Sequence, residues 1–318
     1  MLTRFMAWHR IDPDGGTFNL MSTQDPSRHF GRLLTAMVTP FTPSGELDLD
    51  AAARLASYLV DEQKNDSLII NGTAGEAPTT SDTEKADLIR AVVDAIGDRA
   101  QVIAGVGTFD TVHSVHLAEQ AAKSGAAGLL VVTPYYSKPP QHALLAHFRA
   151  VADATELPVL LYDIPHRSGV QIQSETLMEL AGHDRIVGWK DAKGNLAATS
   201  QVLAGTDLVC YAGEDVMTLP MLSIGAWGVV GTSTHFVGAE TKALIEAFGR
   251  GDNAEALRLH RKLLPIYLGI FRAQGVILTK AGLRLRGLDV GIPRSPLVEA
   301  TDEEVLQLRQ DLADVGLL

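Results

Sequence analysis

Ile186-Val187-Gly188-Trp189-Lys190-Asp191-Ala192-Lys193-Gly194-Asn195 is the stretch on which the fold turns. A short apolar run closed by turn residues fits a strand buried on both faces. This one stops on a lysine, and a glycine turn follows. A solvent-facing lysine needs no such setting. An amine at the mouth of an apolar strand loses hydration, which favours its neutral form and makes it a candidate nucleophile. Most lysines at strand ends are simply solvated, so the rest of the chain has to weigh the position.

Outward from this run the same unit recurs. Short apolar segments fall at 33–38, 67–71, 101–104, 128–132, 157–162, 208–211 and 228–230. Between them, helical spacing of apolar residues predicts helices at 50–62, 81–96, 111–124, 141–155, 174–182, 196–205 and 217–224. Further helices follow at 239–249, 253–271, 275–286 and 302–315. Asp48 and Asp50 sit where a cap or first-turn acid favours a helix start, and Ser81 with Glu84 forms a capping-box pattern. Eight strands alternating with helices in about 230 residues predict an α/β fold, a closed (β/α)8 TIM barrel with a C-terminal helical extension. The competitor is an open doubly wound sheet. Its dinucleotide fingerprint is missing: no G-x-G-x-x-G follows the first strand, and Gly105-Val106-Gly107 lacks the third glycine. The expected organisation is an arm at 1–30, a barrel core at 31–238, and the last barrel helix with the C-terminal helices at 239–318. The arm lacks periodicity and the apolar centre of a signal peptide, so it reads as disordered, with Met21 as an alternative initiator.

Composition narrows the function classes. Of 318 residues 46% are hydrophobic and 20% charged, enough for a large core. A net charge of -11 argues against a general nucleic-acid or acidic-membrane surface, while leaving room for a locally basic pocket. No apolar stretch reaches the roughly 18 residues of a membrane helix. Cys210 is the sole cysteine, which excludes an intrachain disulfide and a thiolate metal cluster and fits a reducing, cytoplasmic setting.

Barrel active sites gather at the C-terminal ends of strands, so geometry selects candidates before chemistry does. After the second strand comes Asn71-Gly72-Thr73-Ala74-Gly75-Glu76, and after the fourth Thr133-Pro134-Tyr135-Tyr136. The fifth leads into Tyr162-Asp163-Ile164-Pro165-His166-Arg167-Ser168-Gly169, the sixth ends in Lys190, and the seventh precedes Ala212-Gly213-Glu214-Asp215. A neutral lysine attacks a ketone to give an imine, an electron sink for carbon–carbon bond chemistry. A buried tyrosine beside it can give and take the protons that imine formation needs, and a hydroxyl bridging to a second phenol would relay them. Backbone amides of the 72–75 turn could receive one carboxylate, and Arg167 could clamp another. Each piece has a plainer reading: Tyr162 as packing, the Tyr135-Tyr136 pair as core or interface, Arg167 as a surface arginine. The glycine turn is no P-loop, for no Lys-Ser/Thr follows it. His113 and His116 share a helix face without a third ligand, Glu214-Asp215 is a weak pair, and His166 and His235 stand alone. No metal is expected.

These motifs, in their order and spacing, resemble the dihydrodipicolinate synthase and N-acetylneuraminate lyase family, from about Gly31 to Leu318. The carrying pieces are Gly72-Thr73-Ala74-Gly75-Glu76, Val132-Thr133-Pro134-Tyr135-Tyr136, Leu161 through Gly169, and Gly188-Trp189-Lys190-Asp191. The resemblance implies a cofactor-free class I aldolase in which Lys190 forms a Schiff base with pyruvate. It implies Tyr162 as proton donor and acceptor, Thr73 and Tyr136 as its relay, and Tyr135 as the tyrosine reaching across a dimer interface of a homotetramer. Arg167 falls where the synthase branch holds the carboxylate of aspartate 4-semialdehyde. Ser137-Lys138-Pro139-Pro140 also resembles that branch. Gly213 would help seat the second substrate, and the backbone of Val230 the pyruvate.

Ala74 departs from the family's usual Gly-Thr-Thr-Gly-Glu turn. The missing hydroxyl normally meets the pyruvate carboxylate, a bond worth roughly 1.5–3 kcal/mol; the backbone amide survives. Gly231-Thr232-Ser233-Thr234-His235 departs as well, and Asp82, Lys85 and Phe109 differ from lysine-inhibited members, which predicts weak or absent lysine feedback. The expected reaction is condensation of pyruvate with aspartate 4-semialdehyde. The alternative enzyme is another pyruvate-dependent aldolase or lyase acting on a sugar acid or other 2-keto acid. A non-catalytic keto-acid sensor would not need Lys190, Tyr162, Thr73 and Tyr136 together. Lys193, three residues beyond Lys190, reads as a surface lysine.

Overall fold

A computed structural model describes residues 30–318, so the arm expected at 1–30 lies, but for its last residue, outside the described residues. Eight parallel strands close in sequence order into a barrel. They are β1 (Leu33–Ala36), β2 (Ser67–Ile70), β3 (Gln101–Gly105), β4 (Gly128–Val132), β5 (Val159–Asp163), β6 (Ile186–Asp191), β7 (Val209–Ala212) and β8 (Gly228–Gly231). The helices returning along the outside are α1 (Leu49–Asp61), α2 (Asp82–Ile96), α3 (Thr111–Lys123), α4 (Gln141–Asp153), the four-residue α5 (Pro165–Ser168), α6 (Ser174–Leu180), α7 (Leu196–Gly205), α8 (Thr218–Leu222) and α9 (Thr234–Gly249). Beyond the barrel lie α10 (Asn253–Gly269), α11 (Gly275–Leu285) and α12 (Asp302–Asp314).

The caps sit where the side chains direct them. Asp48 accepts from the Ala51 amide at 2.9 Å to start α1. Ser81 and Glu84 exchange both capping-box bonds at the head of α2. The last barrel helix starts earlier than its apolar pattern suggests, at Thr234, because non-helical angles at Val237 (φ −124°) interrupt it before the regular spacing begins.

Two apolar layers hold the barrel. The outer packs the helices on the strands and includes Leu55, Val92, Phe148, Trp189 and Leu244. The inner fills the barrel with residues such as Leu34, Ile69, Leu130, Leu160 and Val230. Strands buried on both faces explain why these runs read as continuous apolar segments rather than alternating ones. At the floor, Tyr211 and Trp227 both donate to the Gly31 carbonyl, at 2.9 and 3.0 Å. The far end, where the strands terminate, stays open. No helix among the described residues is long and apolar enough to cross a membrane.

Candidate active site

The open rim holds a cavity of about 490 Å³ joined to a lobe of about 330 Å³; Gly72, Thr73, Tyr162 and Arg167 line both. Lys190 and Tyr162 sit opposite each other in the β5–β6 register. That pairing places the Lys190 ammonium nitrogen 4.2 Å from the centre of the Tyr162 ring. Lys190 is 5% exposed. Loss of hydration pushes its amine down to about 8, with Arg167 adding to the effect and the Asp215 carboxylate opposing it. Burial pushes the Tyr162 phenol well above its ordinary value; nearby Arg167 and a hydrogen bond with Thr73 work against that. A phenol that keeps its proton at neutral pH can deliver it to an oxygen leaving as water.

The turn after β2 brings Thr73 and Ala74 to the same cavity. Asn71 (φ 60°) and Glu76 (φ 54°) bracket it in the left-handed region. A Cβ on Gly75 would come within 3.1 Å of the Asn71 nitrogen. The turn is therefore folded tightly back on β2, and its shape does not depend on residue 74 carrying a hydroxyl. Arg167 rides on α5 and faces both lobes. Gly213 lines the wall, where a Cβ would meet the Asp191 carbonyl at 2.8 Å, so glycine is what fits. Val230 lies deeper, buried in the barrel interior and paired with Leu34 of β1; Thr232, two residues on, lines the cavity.

Two expectations need correction. Tyr136 is absent from the cavity walls of its own chain: it is 93% exposed, on backbone with φ of 73°. Tyr135 lines the smaller lobe, its ring edge-on to Phe109 at 5.6 Å, and burial raises its phenol. Within one chain, Tyr135 rather than Tyr136 borders the cavity. Lys193 is also no surface lysine. Its ammonium meets Asp163 at 3.2 Å, with the two side chains 7% and 0% exposed.

Sequence reasoning missed part of the wall. Tyr267, Phe271, Gln274 and Val276 from α10, α11 and their junction close over the cavity; Asp215 after β7, read from the sequence only as half of a weak pair, lines it too. Only folding brings those helices over the barrel mouth. Asp215 is fully buried and accepts from Ser233 Oγ at 2.6 Å and from the Thr232 amide, and burial raises its carboxyl. Here the Gly231–His235 departure finds a role. His235 accepts the Val38 amide on Nε2 and donates from Nδ1 to the Thr232 carbonyl, while burial drives it down to about 4, so it is a neutral clamp between β1 and β8. His166 borders the cavity, and His113 bonds Asp82 away from it. No group of three or more His, Cys, Asp or Glu among the described residues is placed to hold a metal ion.

Known proteins resemble the chain in sequence and in overall fold. The profile of the Dihydrodipicolinate synthetase family matches residues 29–315. The 4-hydroxy-tetrahydrodipicolinate synthase of Acidothermus cellulolyticus is 62% identical over 296 residues, covering 93% of this chain and 96% of that one. The 4-hydroxy-tetrahydrodipicolinate synthase 2 of Streptomyces coelicolor is 57% identical, covering 93% and 98%. Among solved structures, the enzyme from Cyanidioschyzon merolae with lysine bound is 41% identical with a TM-score of 0.89, covering 91% and 99%.

Proposed function

The chain belongs to the Dihydrodipicolinate synthetase family, and on that premise we propose that it is a lyase of the 4-hydroxy-tetrahydrodipicolinate synthase type, condensing pyruvate with L-aspartate 4-semialdehyde in the diaminopimelate route to lysine. The observation that carries the reading is the buried Lys190 amine against the Tyr162 ring inside a cavity that Arg167 also lines.

The chemistry follows from those groups. Neutral Lys190 adds to the pyruvate ketone, and Tyr162 protonates the carbinolamine oxygen, which leaves as water. The iminium draws electrons from the neighbouring methyl, which loses a proton and becomes an enamine. The enamine carbon attacks the aldehyde, whose oxygen takes a proton. The amine of the semialdehyde portion then displaces Lys190 from the imine carbon, closing the ring and freeing the lysine. One water leaves overall. The iminium is itself the electron sink, so this route asks for no cofactor. Arg167 receives the carboxylate of the aldehyde substrate, and Gly213 leaves that end of the cleft open. Pyruvate's carboxylate goes to the backbone amides of the 73–74 turn. The reading extends to a cytoplasmic homotetramer, and the exposed Tyr136 is the tyrosine to be offered to a second copy. The expectation of weak or absent lysine feedback rests on the residue types at Asp82, Lys85 and Phe109.

Borohydride reduction with pyruvate, followed by mass spectrometry, should put the adduct on the peptide holding Lys190; its absence there removes the Schiff-base route. Coupled assays should give turnover with aspartate semialdehyde and little with sugar acids. Thr73→Val should slow turnover sharply with the fold intact, and unchanged turnover would sink the proposed relay.

A further inference from the structure

We infer that the buried Lys193–Asp163 pair is a positioning device: it ties the Arg167 loop to the strand ends that carry Lys190 and Tyr162. Asp163 follows Tyr162 on β5, and Lys193 lies three residues past Lys190. Both grip the same distant residue. Asp163 Oδ1 accepts the Ile172 amide at 3.1 Å, and the Lys193 ammonium reaches the Ile172 carbonyl at 3.4 Å. Asp163 Oδ2 meets the Lys193 ammonium at 3.2 Å as an ion pair. Lys193 is in turn fixed at its backbone, because its amide donates to Asp191 Oδ1 at 2.8 Å.

The segment held this way is the one that presents Arg167. Its single secondary element is α5, four residues long and far below the length at which a helix holds itself together. An exposed arginine on such a turn keeps its aim only if both ends of the loop are anchored. The near end is anchored by β5 itself, and the far end by Ile172 together with the Gln141 side chain, which bonds the Gln171 carbonyl and the Gln173 amide. A buried ion pair is weak support for stability, since desolvation consumes most of the attraction; fixing a position is its better attested use. The groups facing Asp163 are Lys193 and Asp191, with the buried Cys210 thiol of β7 beyond them. Burial holds the Asp163 carboxyl up at about 6, and Lys193, ahead of the Ile172 amide, works against that rise.

This inference rests on the proposed reaction in one respect: Arg167 is taken to hold the aldehyde substrate rather than pyruvate. Lys193→Met and the double variant Asp163→Asn/Lys193→Met test it, because the double removes both charges and leaves an acceptor for the Ile172 amide. Three readouts are needed: KM for each substrate between pH 6 and 8, borohydride trapping of pyruvate on Lys190, and hydrogen exchange over residues 164–172. In Lys193→Met the aldehyde KM should rise about tenfold or more, the cost of a misaimed clamp. It should climb with pH as the unpaired Asp163 ionises, and loop exchange should speed up, while pyruvate trapping changes less than about twofold. The double variant should recover most of the KM and lose the pH dependence. The inference is overturned if both KM values and trapping move together, if the aldehyde KM does not change, or if loop exchange matches the parent. If Lys193→Met does not fold, Asp163→Ala/Lys193→Met, which also removes the acceptor for the Ile172 amide, decides alone: exchange equal to the parent at 164–172 overturns the tether. A parent enzyme that traps pyruvate but does not turn over aspartate semialdehyde removes the proposed reaction, while the exchange arm still reads the tether.

Discussion

At the scale of single residues, Lys190 works because its charge is poorly hydrated. An amine held down to about 8 is neutral in about one molecule in ten at pH 7, against about three in ten thousand at the ordinary value near 10.5. The rate of pyruvate trapping should therefore rise about tenfold per pH unit below 8 and level off above it. A stopped-time borohydride series across pH 6 to 10 checks this, and a plateau only beyond pH 10 would contradict it. Ala74 lies at the cavity wall without a side-chain donor. Restoring the family's hydroxyl with Ala74→Thr should add roughly 1.5 kcal/mol of carboxylate binding, lowering the pyruvate KM about tenfold. Steady-state kinetics at saturating aldehyde measures it, and an unchanged KM would mean that the backbone amides already suffice.

The barrel's elements meet at a few contacts that tolerate no extra atom. Gly188 lies two residues before Lys190, and a Cβ there would run into the Val209 carbonyl of the neighbouring strand. Gly188→Ala should force β6 and β7 apart and cost about 1–3 kcal/mol, seen as a lower midpoint in urea, with pyruvate trapping reduced as Lys190 shifts. Midpoint and trapping both equal to the parent would refute the contact. Caps and strand cores were readable because they depend on neighbours in sequence: Ser81 and Glu84 are three residues apart, and Gly128–Val132 is apolar throughout. Nothing local announced α5, whose angles are set by Pro165 and by the contacts that loop makes elsewhere.

Across the whole molecule, the C-terminal helices are tied to the active-site turn through Lys280 of α11, which meets Glu76 at 2.7 Å with both side chains 1% exposed. The Arg294 amide donates to the same carboxylate at 2.8 Å, and Lys280 also bonds the Ile292 carbonyl. Lys280→Met strands that carboxylate in the interior and should cost about 3–5 kcal/mol; a thermal or chemical denaturation curve reads it, and a change below about 1 kcal/mol would contradict the placement. Acid should act on the whole fold too. His147 and His235 are held neutral by burial, each down to about 4, so the unfolded chain takes up their protons first. Stability is full above the unfolded value near 6.5 and falls as pH drops from there toward 4. Glu84, held down to about 2 by Arg294, extends the loss below about 4.5, while Asp163, held up at about 6, partly opposes it. Urea midpoints from pH 7.5 to 4 should decline across that window; a flat series would refute it.

By itself the sequence determined the barrel, its strand-end candidates and the Lys190–Tyr162 pair. Buried parallel strands leave contiguous apolar runs, and the barrel rule converts their ends into a site. Tertiary structure alone decided what depended on distant partners or on backbone angles. Tyr135 lines the cavity while Tyr136, at positive φ, lies outside the cavity of its own chain, a placement no spacing rule exposes. Lys193 is buried because Asp163 waits one strand over, thirty residues earlier in the chain. Phe271, Gln274 and Val276 join the cavity only because the C-terminal helices fold back across the mouth. Local pattern records what a residue is beside in sequence, and these residues are defined by what they meet in space.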